Sequence, residues 1–151
     1  MLSVAACLVD TNILLRLSRR SDPQSPAIQT ALAELDRQGA ELYFSLQNMT
    51  ELWNVCTRPR ERNGYGLSIE DTRSEVETIA RTMTLLPDSE QVYSRWLHLV
   101  FAHRVRGVQV HDARLAALMQ AYGLKHILTL NQPDFLRYAD LQAIHPSQLQ
   151  P

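Results

Sequence analysis

LVDTNILLRL, residues 8–17, is the stretch on which the fold turns. The run that leads into it, SVAACLV (residues 3–9), is apolar without alternation, as a strand covered on both faces would be. It ends on Asp10, and apolar residues then resume at helical spacing, which predicts a short helix over 12–20. A strand running straight into a helix is the opening unit of an α/β layer. An acid wedged between two hydrophobic elements is costly unless something compensates its charge. Asp10 taken alone has two readings: a cap for the helix that follows, or a carboxylate presented at the end of a buried strand.

The same alternation continues outward. Asp22-Pro23 and Ser25-Pro26 mark a turn, and Pro26 suits the start of a helix, AIQTALAELDRQ, that stops at Gly39. ELYFS (41–45) reads as a second strand and LQNMTELWNVCT (46–57) as a helix ended by Arg58-Pro59. RPRERNGYG (58–66) is a polar loop, and Ser68 with Asp71 caps the helix IEDTRSEVETIART (69–82). MTLLP is a third strand, SEQVYSRWLHLVFAH a helix, RVRGVQ a loop, and HDARLAALMQAY a helix closed by Gly123. KHILTL supplies a fourth strand and LQAIH a fifth. Strands separated by helices predict a mainly parallel sheet in one domain spanning residues 1–151.

The 151 residues suffice for a sizeable core, and the composition, 45% hydrophobic and 21% charged, is that of a globular protein. A net charge of -1 excludes a global polycation that grips nucleic acid non-specifically, but not a local basic rim. Cys7 and Cys56 lie in apolar segments without disulfide or Cys-x-x-Cys spacing and read as core residues of a reducing compartment. The N-terminal apolar run is too short to span a bilayer and lacks a basic leader, so no membrane role and a cytoplasmic location are expected.

In open parallel sheets, ligands bind beyond the carboxyl ends of the strands. Asp10 lies there after the first strand, and Asn131 and Asp134 follow the fourth. Asp112 opens its helix on the side of Leu115, Ala116 and Met119, and Glu51 flanks the stripe Leu46, Met49, Trp53 and Cys56. Singly, each has a bland reading as a helix-start charge or a solvated acid. Jointly they have reason to meet. Two carboxylates about 4 Å apart repel by about 4 kcal/mol at an effective dielectric near 20, so a cluster of them calls for protons or cations. An all-oxygen ligand set favours Mg2+ or Mn2+ over zinc, and such ions suit a phosphodiester substrate.

VDTNILLRL, TELWNVCTRP, HDARLAALMQAYGLKHILTLNQPDF and IHPSQL, taken together and in order, resemble a PIN domain, and in particular the VapC-type toxins of type II toxin–antitoxin systems. The resemblance covers nearly the whole chain. It implies a PIN-like three-layer α/β/α fold with strand order 3-2-1-4-5. It also implies a metal-dependent endoribonuclease, with one or two Mg2+ or Mn2+ ions and metal-activated water attacking phosphorus. By the same resemblance Asp10, Glu51 and Asp112 match the main acidic positions, and Asn12 supports the first. The fourth position falls to Asn131 or Asp134. A small antitoxin, a homodimer and an RNA substrate are the implied partners. The competing reading is a degenerate PIN module that binds RNA or protein without cutting it, which the neutral Asn131 and the near-neutral net charge keep open. A phosphatase with an aspartate nucleophile fits less well, because Asn12 stands where such enzymes want a second acid.

The candidate RNA contacts are Arg58, Arg60 and Arg62 in the polar loop, together with Arg114 and His111 beside Asp112. Two further arginine groups, Arg16, Arg19 and Arg20, and Arg104 and Arg106, also read as ordinary solvated surface. Trp53 and Trp96 sit on apolar helix faces and are expected to pack in the core.

Overall fold

A computed structural model describes residues 2–151. Its five strands are β1 (Ala6–Val9), β2 (Glu41–Phe44), β3 (Thr84–Leu85), β4 (His126–Leu128) and β5 (Gln142–Ile144). They form one sheet in the order β3-β2-β1-β4-β5, with every neighbouring pair parallel. This is the expected order. The six α-helices among the described residues are α1 (Thr11–Leu17), α2 (Ser25–Arg37), α3 (Leu46–Thr57), α4 (Ile69–Thr82), α5 (Glu90–Ala102) and α6 (Val110–Tyr122).

The period of two along the central strands divides the core into two layers. Cys7 and Val9 of β1 and Leu128 of β4 pack with Ile13, Leu14, Ile28, Leu35, Leu52 and Ile79 from α1 to α4. Leu8 and Ile127 face the other way, onto Val92, Leu99, Leu115, Leu118 and Met119 of α5 and α6. Apolar side chains on both faces explain why the β1 run lacks alternation. The result is a three-layer α/β/α arrangement. Both cysteines are buried and unpaired, and burial pushes the Cys7 thiol up to about 12.

Several element boundaries differ from expectation. β1 begins at Ala6 rather than residue 3, and β4 keeps only the centre of KHILTL. The MTLLP strand shrinks to two residues at the sheet edge. α1 stops at Leu17, three residues early, with Ser18 as its C-cap, whose hydroxyl and N–H both donate to the Leu14 carbonyl. α3 is rotated from the expected stripe: Leu46 is 60% exposed, while Gln47, Asn48, Leu52 and Cys56 are buried. The cause is polar. Asn48 is drawn inward by a reciprocal cap with Ser45 and by its amide, which donates to the Thr11 hydroxyl.

Candidate active site

The sheet places Asp10 at the carboxyl end of β1, between α1 and the segment after β4. Its backbone is extended, and its N–H donates to the Leu128 carbonyl, extending the pairing of β1 with β4 by one residue. Asp10, Thr11, Asn12, Leu15, Glu51, Asn54, Val55, Asp112, Asn131 and Asp134 line one pocket of about 350 Å³. All six residues read from the sequence as acids, fourth position or support therefore share a single cavity. Four elements contribute: the β1–α1 junction, the middle of α3, the first turn of α6 and the turn after β4.

Asp10 plays both of its expected parts at once. Oδ1 accepts the Thr11 N–H at 2.8 Å and caps α1. Oδ2 accepts the Thr129 hydroxyl at 2.8 Å and the Asn12 amide at 3.3 Å. Asn12 also reaches across to the segment after β4, accepting the Leu130 N–H at 3.1 Å. Glu51 is held through both oxygens, Oε2 by the Thr11 hydroxyl at 2.9 Å and Oε1 by the Gln47 amide at 3.0 Å. Asp112 is the contrast. It is half-buried, and its carboxylate accepts no hydrogen bond from the described residues.

The electrostatics follow from that arrangement. Burial raises the Asp10 carboxyl, the Thr129 and Thr11 hydrogen bonds oppose the rise, and the charges of Glu51 and Asp134 add to it. Asp112 is pushed up to about 7, chiefly by burial, then by Asp134, Asp10 and Glu51, with Arg137 partly offsetting them. Among the described residues none of the four acids forms an ion pair. The pocket thus gathers negative charge with no Lys or Arg among its lining residues, and Arg137 offsets only part of it from outside.

Such a donor set fits a hard divalent cation in kind: four carboxylates and amide oxygens, with no His or Cys among the lining residues. It is not a closed cage. No three His, Cys, Asp or Glu side chains among the described residues already converge as a ligand cluster. Mg2+ characteristically keeps several waters and takes one or two carboxylates plus substrate phosphate, so an open carboxylate pocket suits it better than it would zinc.

The basic candidates fare differently. Arg58 and Arg60 bond within their own loop, to the carbonyls of Asn63 (3.1 Å) and Tyr65 (3.4 Å). Arg62 is exposed. None of the three lines the acid pocket. Arg114, expected beside Asp112, is instead ion-paired to Asp88 at 2.8 Å and lines a separate cavity with Val92, Tyr93 and Trp96. Helix geometry is the reason: two residues apart on α6, the side chains of 112 and 114 face different sides. His111 is exposed and touches the site only through its carbonyl, which accepts from Gln47.

Three polar residues escaped the sequence reading: Thr129, Thr11 and Gln47. The register Leu8↔Ile127 and Val9↔Leu128, continued by one, sets the fully buried Thr129 level with Asp10. A threonine ending an apolar strand was the signal available. Gln47 lies one helical turn before Glu51 on the face of α3 that proved buried.

The fold and pocket define an α/β protein with an acid-lined site beyond the carboxyl ends of its two central strands. The chain belongs to the PIN domain family, whose model matches residues 7–141 and whose members are generally nucleases. Comparison with curated proteins gives no significant match. Among solved structures, the chain is similar to VapBC2 from Rickettsia felis bound to a DNA fragment from their promoter. That match has 14% identity and a TM-score of 0.71, covering 93% of this chain and 98% of the other. It is similar to VapBC-1 from nontypeable Haemophilus influenzae, at 19% identity and TM-score 0.66, with 94% and 98% covered. It also resembles Mycobacterium tuberculosis VapC20, a sarcin-ricin loop cleaving toxin, at 16% identity and TM-score 0.61, with 80% and 86% covered. At these identities the likeness is one of fold.

Proposed function

We propose that this chain, acting as one domain over residues 1–151, is a Mg2+- or Mn2+-dependent endoribonuclease, a VapC-like toxin of a toxin–antitoxin pair. The observation that carries this reading is the meeting of Asp10, Glu51, Asp112 and Asp134 on one pocket that no Lys or Arg lines. The names of its structural neighbours support the toxin and antitoxin part, and the sarcin-ricin loop cleaving toxin among them supports RNA as substrate. The pairing of the domain with a second copy and a cytoplasmic location belong to the same reading. No helix among the described residues is long and apolar enough to cross a membrane.

In this reading Asp10, Glu51 and Asp112 hold the cation, Asn12 orients Asp10, and Asn131 and Asp134 complete the rim from the turn after β4. A bound divalent cation would supply Lewis acidity, making a water nucleophilic near neutral pH and offsetting charge on the phosphate. The protein's own part is positional. Thr129 and Thr11 fix the Asp10 carboxylate before the cation arrives, and Thr11 and Gln47 fix Glu51. Asp112, free of hydrogen bonds, retains its full capacity to accept. No side-chain nucleophile is needed.

The competing reading, a PIN module that binds without cutting, rests on the neutral Asn131. Metal binding separates the two. At a hundredfold excess over the dissociation constant, a single bound ion stabilises the fold by about 2.7 kcal/mol. For a domain of this size that raises Tm by roughly 5–10 °C. A thermal-melt titration with Mn2+, with and without RNA, should show this rise. No shift in either condition selects the binding module.

A further inference from the structure

We propose that Gln47 is a positioning residue of the acid pocket: its amide ties the Glu51 carboxylate to the first turn of α6 and sets how far Glu51 stands from Asp112. The inference rests on the metal-site reading above and adds to it a residue outside the pocket lining. The Gln47 Nε2 donates both ways, to Glu51 Oε1 at 3.0 Å and to the His111 carbonyl at 2.9 Å. His111 immediately precedes Asp112 in α6. One amide therefore bridges two helices, each carrying an acid of the site. No other hydrogen bond among the described residues joins α3 to α6.

Packing alone does not account for an amide at this position. Gln47 is 7% exposed, and its Oε1 is a buried acceptor with no partner among the described residues. An unpaired buried acceptor is destabilising; an apolar side chain of the same shape would remove it but would strip the Glu51 carboxylate and the His111 carbonyl of their shared donor. The amide does supply two donors aimed at two acceptors, which only a primary amide or a charged group can do there. A lysine or arginine would meet that need but would neutralise Glu51. Glutamine is the uncharged side chain that reaches both acceptors, and it leaves Glu51 free to bind a cation.

The bridge also explains the asymmetry of the site. Thr11 links Asp10 to Glu51 through its N–H and its hydroxyl, so those two acids are set relative to one another by β1 and α1. Asp112 arrives on the opposite layer of the sheet, with α6, and has no direct hydrogen bond to either. Through Gln47, the α6 first turn joins the chain of contacts Asp10–Thr11–Glu51. Partners of this kind, one shell removed from a metal, typically carry a 10- to 100-fold share of affinity.

The test compares Gln47→Met, similar in shape but without donors, with the unchanged chain and with Glu51→Gln alone and in combination. Mn2+ affinity is read by electron paramagnetic resonance without RNA, and folding by thermal melts. Gln47→Met should weaken Mn2+ binding about tenfold, with a metal-free Tm lowered only as far as the loss of its two hydrogen bonds requires and the chain still cooperatively folded. The loss should vanish in the Glu51→Gln background. The same loss in both backgrounds, or no loss in the original one, overturns the proposal. A second readout does not depend on metal: in NMR spectra of the metal-free chain, Gln47→Met should shift the Glu51 carboxyl carbon and speed amide exchange in the α6 first turn. If the unchanged chain binds no Mn2+, the nuclease reading fails. The NMR arm still decides the bridge, and silence there overturns it.

Discussion

Thr129 Oγ1 donates to Asp10 Oδ2 at 2.8 Å, joining the ends of two parallel strands across 119 residues of sequence. The threonine is fully buried, and its hydroxyl also accepts from Asn12 and from the Asn131 N–H. One side chain thus organises the first acid, its supporting asparagine and the turn that carries Asn131 and Asp134.

Thr129→Val keeps the shape and removes this hub. It leaves Asp10 Oδ2 with only the longer Asn12 contact, and an under-satisfied buried carboxylate costs about 1–3 kcal/mol. Urea unfolding at pH 7 should show a loss of that size, and Thr129→Ser should restore most of it. Equal stability of the valine and threonine forms would contradict the role.

Stability of the metal-free protein should fall as pH rises from about 4 to 7. Asp112 moves from 3.8 in its ordinary state to about 7 in the fold, and Asp10 is also raised. A raised carboxyl pKa means the folded state holds protons that the unfolded state has released, so stability is full below the unfolded value and is lost up to the folded one. Asp112→Asn should flatten the dependence and raise Tm at pH 7.5. Melting curves from pH 4 to 8 without metal measure both, and a Tm that climbs with pH would refute the assignment.

Gly64 cannot carry a side chain where it stands. A Cβ there would lie 1.9 Å from the Arg58 carbonyl oxygen, inside a loop that folds back onto the end of α3 through Tyr65 N–H to Val55 and Gly66 N–H to Arg58. Gly64→Ala should remodel residues 58–66 and cost about 1–3 kcal/mol, as overpacking does. Limited trypsin digestion should then cut faster after Arg60 and Arg62.

The arginines of this loop should not contribute equally to RNA affinity. Arg58 and Arg60 donate to loop carbonyls, Arg62 makes no such bond, and Arg114 is held by Asp88. Arg62→Ala should lower affinity for RNA of any sequence and reduce the slope of log affinity against log salt by about 1. Arg114→Ala should leave both unchanged. Filter binding with the Asp10→Asn protein across a salt series, which avoids cleavage, distinguishes these outcomes.

The alternation of strands and helices is legible because it depends on local signals: apolar runs mark the strands, and a parallel sheet sends their carboxyl ends to one edge, where Asp10 and the Asn131–Asp134 turn lie. The strand order that makes β1 and β4 neighbours is implied by the family resemblance, and Glu51 and Asp112 reach the pocket from helices. What escaped depended on register and helix rotation. Thr129 becomes significant only once β4 is aligned with β1. The buried face of α3 is set by Asn48 reaching Thr11, a contact that hydrophobic spacing does not reveal, and so Leu46 fell on the wrong side and Gln47 was overlooked. Arg114 is two residues from Asp112 in sequence, yet helix geometry turns it to Asp88.

The most direct measurement is the rate of cleavage of a structured RNA by the purified chain, free of partners, as Mn2+ is added. Cleavage should rise with metal and cease with chelator. Asp10→Asn, folded by its melting curve, should reduce it at least 100-fold, on the order expected for loss of about 3 kcal/mol or more of transition-state stabilisation. Equal cleavage by the Asp10→Asn protein, or cleavage indifferent to metal, would contradict the account.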